Sequence, residues 1–443
     1  MKKGVFLTFL LILAAFFAGC DDAVLPDLPE MEESMDVDVF EIGDDETHDD
    51  DSKPAEENTD GEEKDDSDDP EKPDQDTSDD VVPEPEIAAA HLIVAEVGGY
   101  NVPMSGKVYY AKDENLNEFK EIPVEGGMGS VDGADLNLAV FDSGFAAVGR
   151  DKSSSLYFFT QDFKFESEIR IKPDVYINMQ DMVFNPFKDE YIVSALNSDT
   201  YDAHKKYSNK VFILKKGVQE ASVSELEISD NESATPAKMR VVGKKLFVAL
   251  QNLNDQALSD KGEIAVVSLE DYSIKRVELP LRNPTGKIEY NAKVDKNHIY
   301  FVATGNWQKR DGALLRMDIE TYEVKVVLRE SAEENNILDG DFVDVSIADN
   351  GGFYIIFSNN SSKWENNLLE YLPAEGKVTK IDSGINAFAA NPIDFSPKTG
   401  RIYYFIDDGP DTYLKFLDTK TGQSESVLLE YGPASLRVKI DSD

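Results

Sequence analysis

Residues 237–281 read AKMRVVGKKLFVALQNLNDQALSDKGEIAVVSLEDYSIKRVELPL. Four apolar, β-branched runs stand in this stretch, at 241–242, 246–250, 264–269 and 274–279. Gly243, the polar segment 252–262 and Asp271-Tyr272-Ser273 separate them. Short apolar runs between turn-forming residues predict four consecutive strands. One such unit leaves two apolar faces in water, so it requires copies of itself alongside.

The copies are present. Runs of the same kind group in fours at 136–171, 182–228, 289–328, 344–381 and 394–429, with helical periodicity hard to find. The ends do not make complete groups: three strands precede residue 136 (91–97, 107–111, 119–124) and one follows residue 429 (435–440). Three plus one completes a seventh group from opposite termini, which is how a β-propeller closes its ring and removes exposed sheet edges. The expected fold is all-β, a seven-bladed β-propeller over residues 87–443 with 3+1 terminal strand closure. A β-sandwich pair would not call for complementary fragments at the two ends.

The first 86 residues are of another kind. Met1-Lys2-Lys3 precedes an apolar run over 5–18, which ends in Phe17-Ala18-Gly19-Cys20. At about 1.5 Å per residue the run covers roughly 21 Å, short of a ~30 Å hydrocarbon core, so residues 1–20 read as an export signal rather than a span. The small-small-Cys ending resembles the lipobox of bacterial lipoproteins, which implies acylation of Cys20, the chain's single cysteine. Residues 21–86 hold 31 Asp or Glu against 3 Lys, a net of −28 within a whole-chain charge of −43. Such a segment repels itself and buries too little apolar surface to order, so a disordered, extended acidic tether is expected. From these features a bacterial cell-envelope protein is expected, lipid-anchored at the outer membrane or cell surface. The remaining chain is acidic as well, and phosphate binding needs clustered positive charge, so nucleic acid is excluded as a partner. A monomer is expected.

Pro236-Ala237-Lys238-Met239, the run from Gly243 to Gln251 and Arg282-Asn283-Pro284-Thr285-Gly286 resemble the YncE-like family of seven-bladed β-propellers. The resemblance implies an exported or lipid-anchored propeller of the superfamily that also holds lactonase-type and quinoprotein-type members. It carries over no catalytic residue.

In a propeller the loops entering each innermost strand, and those joining second and third strands, open on one face around the central channel. The seven entrances place Asp135, Asp181, Lys238, Lys287, Asp344, Asp394 and Ser435 in a ring. Each Asp there either caps its turn by accepting backbone N–H groups or contributes to a polar funnel for a cation or charged small molecule. Asp344 and Asp394, on consecutive blades, could hold Ca²⁺, although oxygen ligands at that spacing are common. The long second-to-third-strand loops carry Tyr100, Tyr201, Asn306, Trp307, Asn360 and Trp364, including both tryptophans of the chain. These side chains either form a ligand face for a small molecule, glycan or protein or cover the rims of neighbouring blades. Catalytic motifs are poor: the histidines form no metal-ligand pattern, and Lys398-Thr399-Gly400 and Lys420-Thr421-Gly422 read as hairpin turns. The expected function is a non-catalytic binding or protein-interaction module; the alternative is a lactonase-like propeller hydrolase with a divalent metal at the channel mouth.

Overall fold

The computed structural model describes residues 89–441 apart from 100, 131–132, 151–152, 173–174, 176, 198–206, 218–222, 255, 334–335 and 360–364. The expectations for Cys20, the acidic tether, Tyr100, Tyr201, Asn360 and Trp364 therefore lie outside the described residues. Within them the strands form seven antiparallel sheets, six of four strands and one of three. Among the described residues no helix is long and apolar enough to cross a membrane.

Blade three shows why the sequence folds this way. Its strands are Pro236–Val242, Lys245–Leu250, Glu263–Ser268 and Ile274–Glu278, paired in that order. Successive side chains of a strand point to opposite faces. Leu246, Val248 and Leu250 accordingly pack toward blade two, and Phe247 and Ala249 toward blade four. Both faces are dry, so the run is continuously apolar. The outermost strand has only one neighbour and reads Ile-Lys-Arg-Val-Glu, mostly exposed. The same arrangement around the ring yields seven apolar clusters, one at each junction between adjacent blades.

Ring closure follows the strand arithmetic. Gly432–Ile440 forms the innermost strand of blade seven and pairs antiparallel with Ala90–Val97, which is followed by Lys107–Lys112 and Lys120–Ile122. The pairing runs from Ala90 opposite Ile440 to Val97 opposite Gly432, with one irregularity between Ala95 and Glu96. On the face away from the loop that follows Val97, Asp113 is fully buried and ties blade seven to blade six. Its carboxylate accepts from Tyr403, Ser396 and Thr399, and Arg401 donates to its backbone carbonyl at 3.1 Å.

Blade four departs from expectation. Residues 289–294 alternate like an innermost strand, yet only isolated bridges form there, Pro284 with Ala303 and Glu289 with Tyr300. The cause is Asn291. Its carbonyl accepts from the N–H groups of Val294 (3.1 Å) and Asp295 (2.9 Å), closing a turn. Its side chain caps Lys293 N at 3.1 Å and donates to Ile347 O and Asp349 Oδ1 of blade five. A side-chain amide able to satisfy the backbone locally competes with the ladder, and here it wins. The regular strands of blade four are His298–Ala303, Ala313–Asp318 and Val324–Arg329.

Candidate functional site

The ring of entrance residues lies at the centre, and most of its polar atoms are engaged between blades. Asp181 of blade two accepts from Met182 N and, with its other oxygen, from Met239 N of blade three, both at 2.9 Å. Asp344 of blade five accepts at 2.9 Å from Val345 N and from Lys287 N of blade four. Asp394 of blade six accepts from Val438 N of blade seven at 2.9 Å. Ser435 of blade seven receives Leu138 N of blade one at 3.2 Å, and Asn137 of blade one donates to Gln180 O of blade two at 2.7 Å. Asp135 pairs with Arg150 at 3.6 Å. Asp181 and Asp344 thus cap their own turns and also bind the backbone of an adjacent blade, and Asp394 binds the backbone of blade seven.

The two lysines do something the sequence did not show. Lys238 Nζ reaches from blade three across the channel to Ala390 O (2.6 Å) and Asn391 Oδ1 (3.1 Å), in the segment leading into blade six. Lys287 Nζ crosses from blade four to Ile393 O (2.6 Å) and Asp394 Oδ1 (3.1 Å), and pairs with Glu289 at 2.7 Å. Burial lowers Lys238 to a pKa of about 8. Lys287 is buried to the same degree, but the carboxylates of Asp394, Glu289 and Asp344 outweigh that burial and raise its pKa. Asp394 is held below its ordinary range by Lys287 and Arg437 in spite of burial, whereas burial dominates at Asp344 and pushes it up.

Above this layer a cavity of about 160 Å³ opens at the channel mouth. Arg150, Lys238, Thr285, Trp307, Asp344 and Phe388 are among its lining residues, so it joins two members of the ring to the aromatic loop of blade four. Trp307 borders this cavity. Asn306 links two loops: its Oδ1 accepts Ser259 N of blade three at 3.2 Å. The loop needs left-handed backbone at Gly305 (φ 72°), Gln308 (66°) and Arg310 (53°). Carboxylates beneath hold that shape: Asp311 accepts Asn306 N at 2.8 Å, Asp341 accepts Gln308 N at 2.9 Å, and Glu330 accepts Gly312 N at 2.7 Å. Burial pushes Glu330 up to about 8 and Asp341 up to about 7.

Arg150, Gln180, Phe388, Asn391 and Arg437 belong to this centre, although reading the strand pattern did not single them out. The available signal was an amide or cation inside an otherwise apolar run, as at Asn137 in LNLAVF and Asn391 in FAANPI. Among the described residues no group of three or more His, Cys, Asp or Glu is arranged to hold a metal. The two Lys-Thr-Gly stretches are hairpin turns; Asp418 Oδ1 caps both Lys420 N and Thr421 N at 2.8 Å.

No family model matches the chain. No curated protein matches it either. Solved structures do. A putative 6-phosphogluconolactonase from Bacteroides fragilis superposes with a TM-score of 0.52 at 11% identity, covering 79% of this chain and 98% of that one. The periplasmic gluconolactonase of Pseudomonas aeruginosa gives 0.50 at 12% identity, with 80% and 100% covered. A functionally unknown protein from Desulfotomaculum acetoxidans gives 0.51 at 10% identity, with 80% and 99% covered. The chain is a seven-bladed β-propeller whose structural neighbours include propellers of the 6-phosphogluconolactonase-like type. At such identities the likeness speaks to the fold alone.

Proposed function

We propose that this chain is a lipid-anchored, extracytoplasmic propeller of YncE-like character that binds a small molecule or glycan at the channel mouth without transforming it. The observation that carries the reading is the cavity itself, which sets Arg150 and Lys238 beside Trp307 and Phe388 on one face of a rigid ring. A few convergent polar groups in an otherwise apolar concavity suit ligand recognition. The carboxylates below the cavity hold adjacent blades together, which favours binding over acid–base chemistry. The lipobox-like ending at Cys20 is what supports an anchor. Val97 leads into a loop on the cavity face, so Ala90, at the other end of the same strand, lies on the opposite face.

The test uses the full chain. Cys20→Ser should release the protein from membranes into the soluble fraction. Binding is then measured by calorimetry against a panel of oligosaccharides, sugar acids and short peptides. Trp307→Ala should weaken the ligand that is found about thirtyfold, the equivalent of a 2 kcal/mol anchor. Lys244→Ala, in a hairpin away from the cavity, should change nothing. Normal binding by Trp307→Ala would refute the assignment of the site. One observation favours a hydrolytic second reading: the buried, upshifted carboxyl of Asp344 lines the cavity. Turnover of sugar lactones that is lost to a chelator would establish that reading, with a divalent metal, in place of the first.

A further inference from the structure

Under the cavity floor a lysine amine meets a carboxamide rather than a carboxylate. Lys238 Nζ lies 3.1 Å from Asn391 Oδ1; Asn391 is fully buried and Lys238 nearly so. Every polar atom of that carboxamide is oriented. Its oxygen also accepts from Arg437 Nη2 at 2.9 Å, and its nitrogen donates to Ser435 Oγ at 3.1 Å, to Leu138 O at 3.4 Å and to Asn137 Oδ1. A carbonyl oxygen facing a guanidinium and an N–H donor is one on which negative charge is stabilised as it develops.

We propose that Lys238 and Asn391 are joined by an intramolecular isopeptide bond. Nζ attacks Cγ, and the oxygen that becomes negative is held by Arg437. The Nζ–Cγ bond forms and the Cγ–Nδ2 bond breaks. One Nζ proton ends on Nδ2, which leaves as ammonia. No oxidant or reductant is required. Asp181 acts on Lys238 more strongly than Asp344 does, but both of its oxygens accept backbone N–H groups. Asp344 lines the same cavity and takes its two backbone N–H groups on Oδ1, which leaves Oδ2 to carry the proton. The reacting form is the neutral amine, and burial makes it accessible near neutral pH by lowering Lys238 to about 8.

Lys287 is the internal control. It is equally deep and also crosses the channel, but its partners are the carboxylates of Asp394 and Glu289, which keep it an ammonium in an ion pair. One spoke of the ring is thus set up for amide formation and the other for a salt bridge. The bond would join blade three to the segment before blade six, residues separated by 153 positions. With Lys238 amidated, Arg150 is the cation left among the cavity residues named above, and the bond is read by mass whether or not a ligand binds.

The experiment is peptide mapping of the purified full chain, digested under denaturing conditions. A branched peptide carrying Lys238 and Asn391 is expected, lighter by one ammonia than its two parts together. It should vanish in Lys238→Arg and Asn391→Ala, and fall severalfold in Asp344→Asn. In Asn391→Asp the same branched product should arise by loss of water, with a mass identical to the wild-type product. Recovery of Lys238 and Asn391 from the wild-type chain in full yield as unmodified linear peptides overturns the proposal, whatever the variants do.

Discussion

Blade seven is stitched from the two ends of the chain, and blade four is one continuous stretch, yet the stitched blade is the more regular. Blade seven has its full set of four strands and an innermost strand nine residues long. Blade four has three strands and a turn where the fourth should begin. Chain continuity therefore does not decide regularity. What separates the two is where their polar groups are satisfied. The seventh blade completes its own backbone ladder and is tied to blade six through the buried Asp113, while the entrance to the fourth hands its hydrogen bonds to Asn291 and to blade five. Thr285, Gly286, Thr304 and Trp307, all from the irregular blade, border the cavity.

The contrast can be broken from the regular side first. Deleting the residues after Gly432 strips the inner strand from blade seven and bares the junctions on both its sides. The loss should exceed the 0.5–3 kcal/mol of an ordinary substitution and abolish cooperative unfolding. A truncated chain that still melts cooperatively within a few degrees of wild type would show that closure contributes little.

Next in size is Asp394→Ala, which leaves Lys287 buried without its main partner and removes the acceptor for Val438 N. About 3–5 kcal/mol of destabilisation is expected in denaturant titrations. Adding Lys287→Met should restore part of it, and failure of the double variant to recover would place the effect elsewhere.

A smaller effect probes the irregular side by pH. Glu330 and Asp341, beneath the Trp307 loop, have folded-state pKa values of about 8 and 7 against ordinary values of 4.5 and 3.8, and Glu96 on blade seven is likewise raised to about 7. The folded chain therefore holds protons that the unfolded chain has released. Stability should fall as pH rises from about 4 through about 8, and be insensitive to these groups below that window. Melting midpoints across pH 5–8 measure the slope, and Glu330→Gln should flatten it. A midpoint that climbs over this range contradicts the assignment.

The smallest change is Asn291→Ala, which removes the amide that competes with the ladder at a cost of about 1 kcal/mol. Increased hydrogen-exchange protection of residues 289–294 in this variant would show that the strand was suppressed by that one side chain.

What could be read from the sequence, and what could not, divides along physical lines. Strand alternation and the complementary ends specify the ring, because burial on both faces writes itself into every strand, as at residues 246–250. The missing strand of blade four was hidden because Glu-Tyr-Asn-Ala-Lys-Val alternates well; only three-dimensional proximity to Ile347 and Asp349 lets Asn291 override the pattern. The ring positions could be located, since an entrance is a matter of order along the chain. Their partners could not. That Lys238 meets Asn391, or Lys287 meets Asp394, depends on closing the circle, and no local pattern encodes a contact across the channel.

The pairing of Ala90 with Ile440 sets the mechanics of the molecule. Any pull on the chain ahead of residue 89 arrives first at Ala90, at the bottom of a strand whose inner neighbour is the last strand of the chain. Such a load must tear hydrogen bonds on both flanks of that strand, against the closing strand on one side and against Lys107–Lys112 on the other. The point where tension enters is thus clamped from two sides, and the blade bearing it is the one on which the whole circle depends.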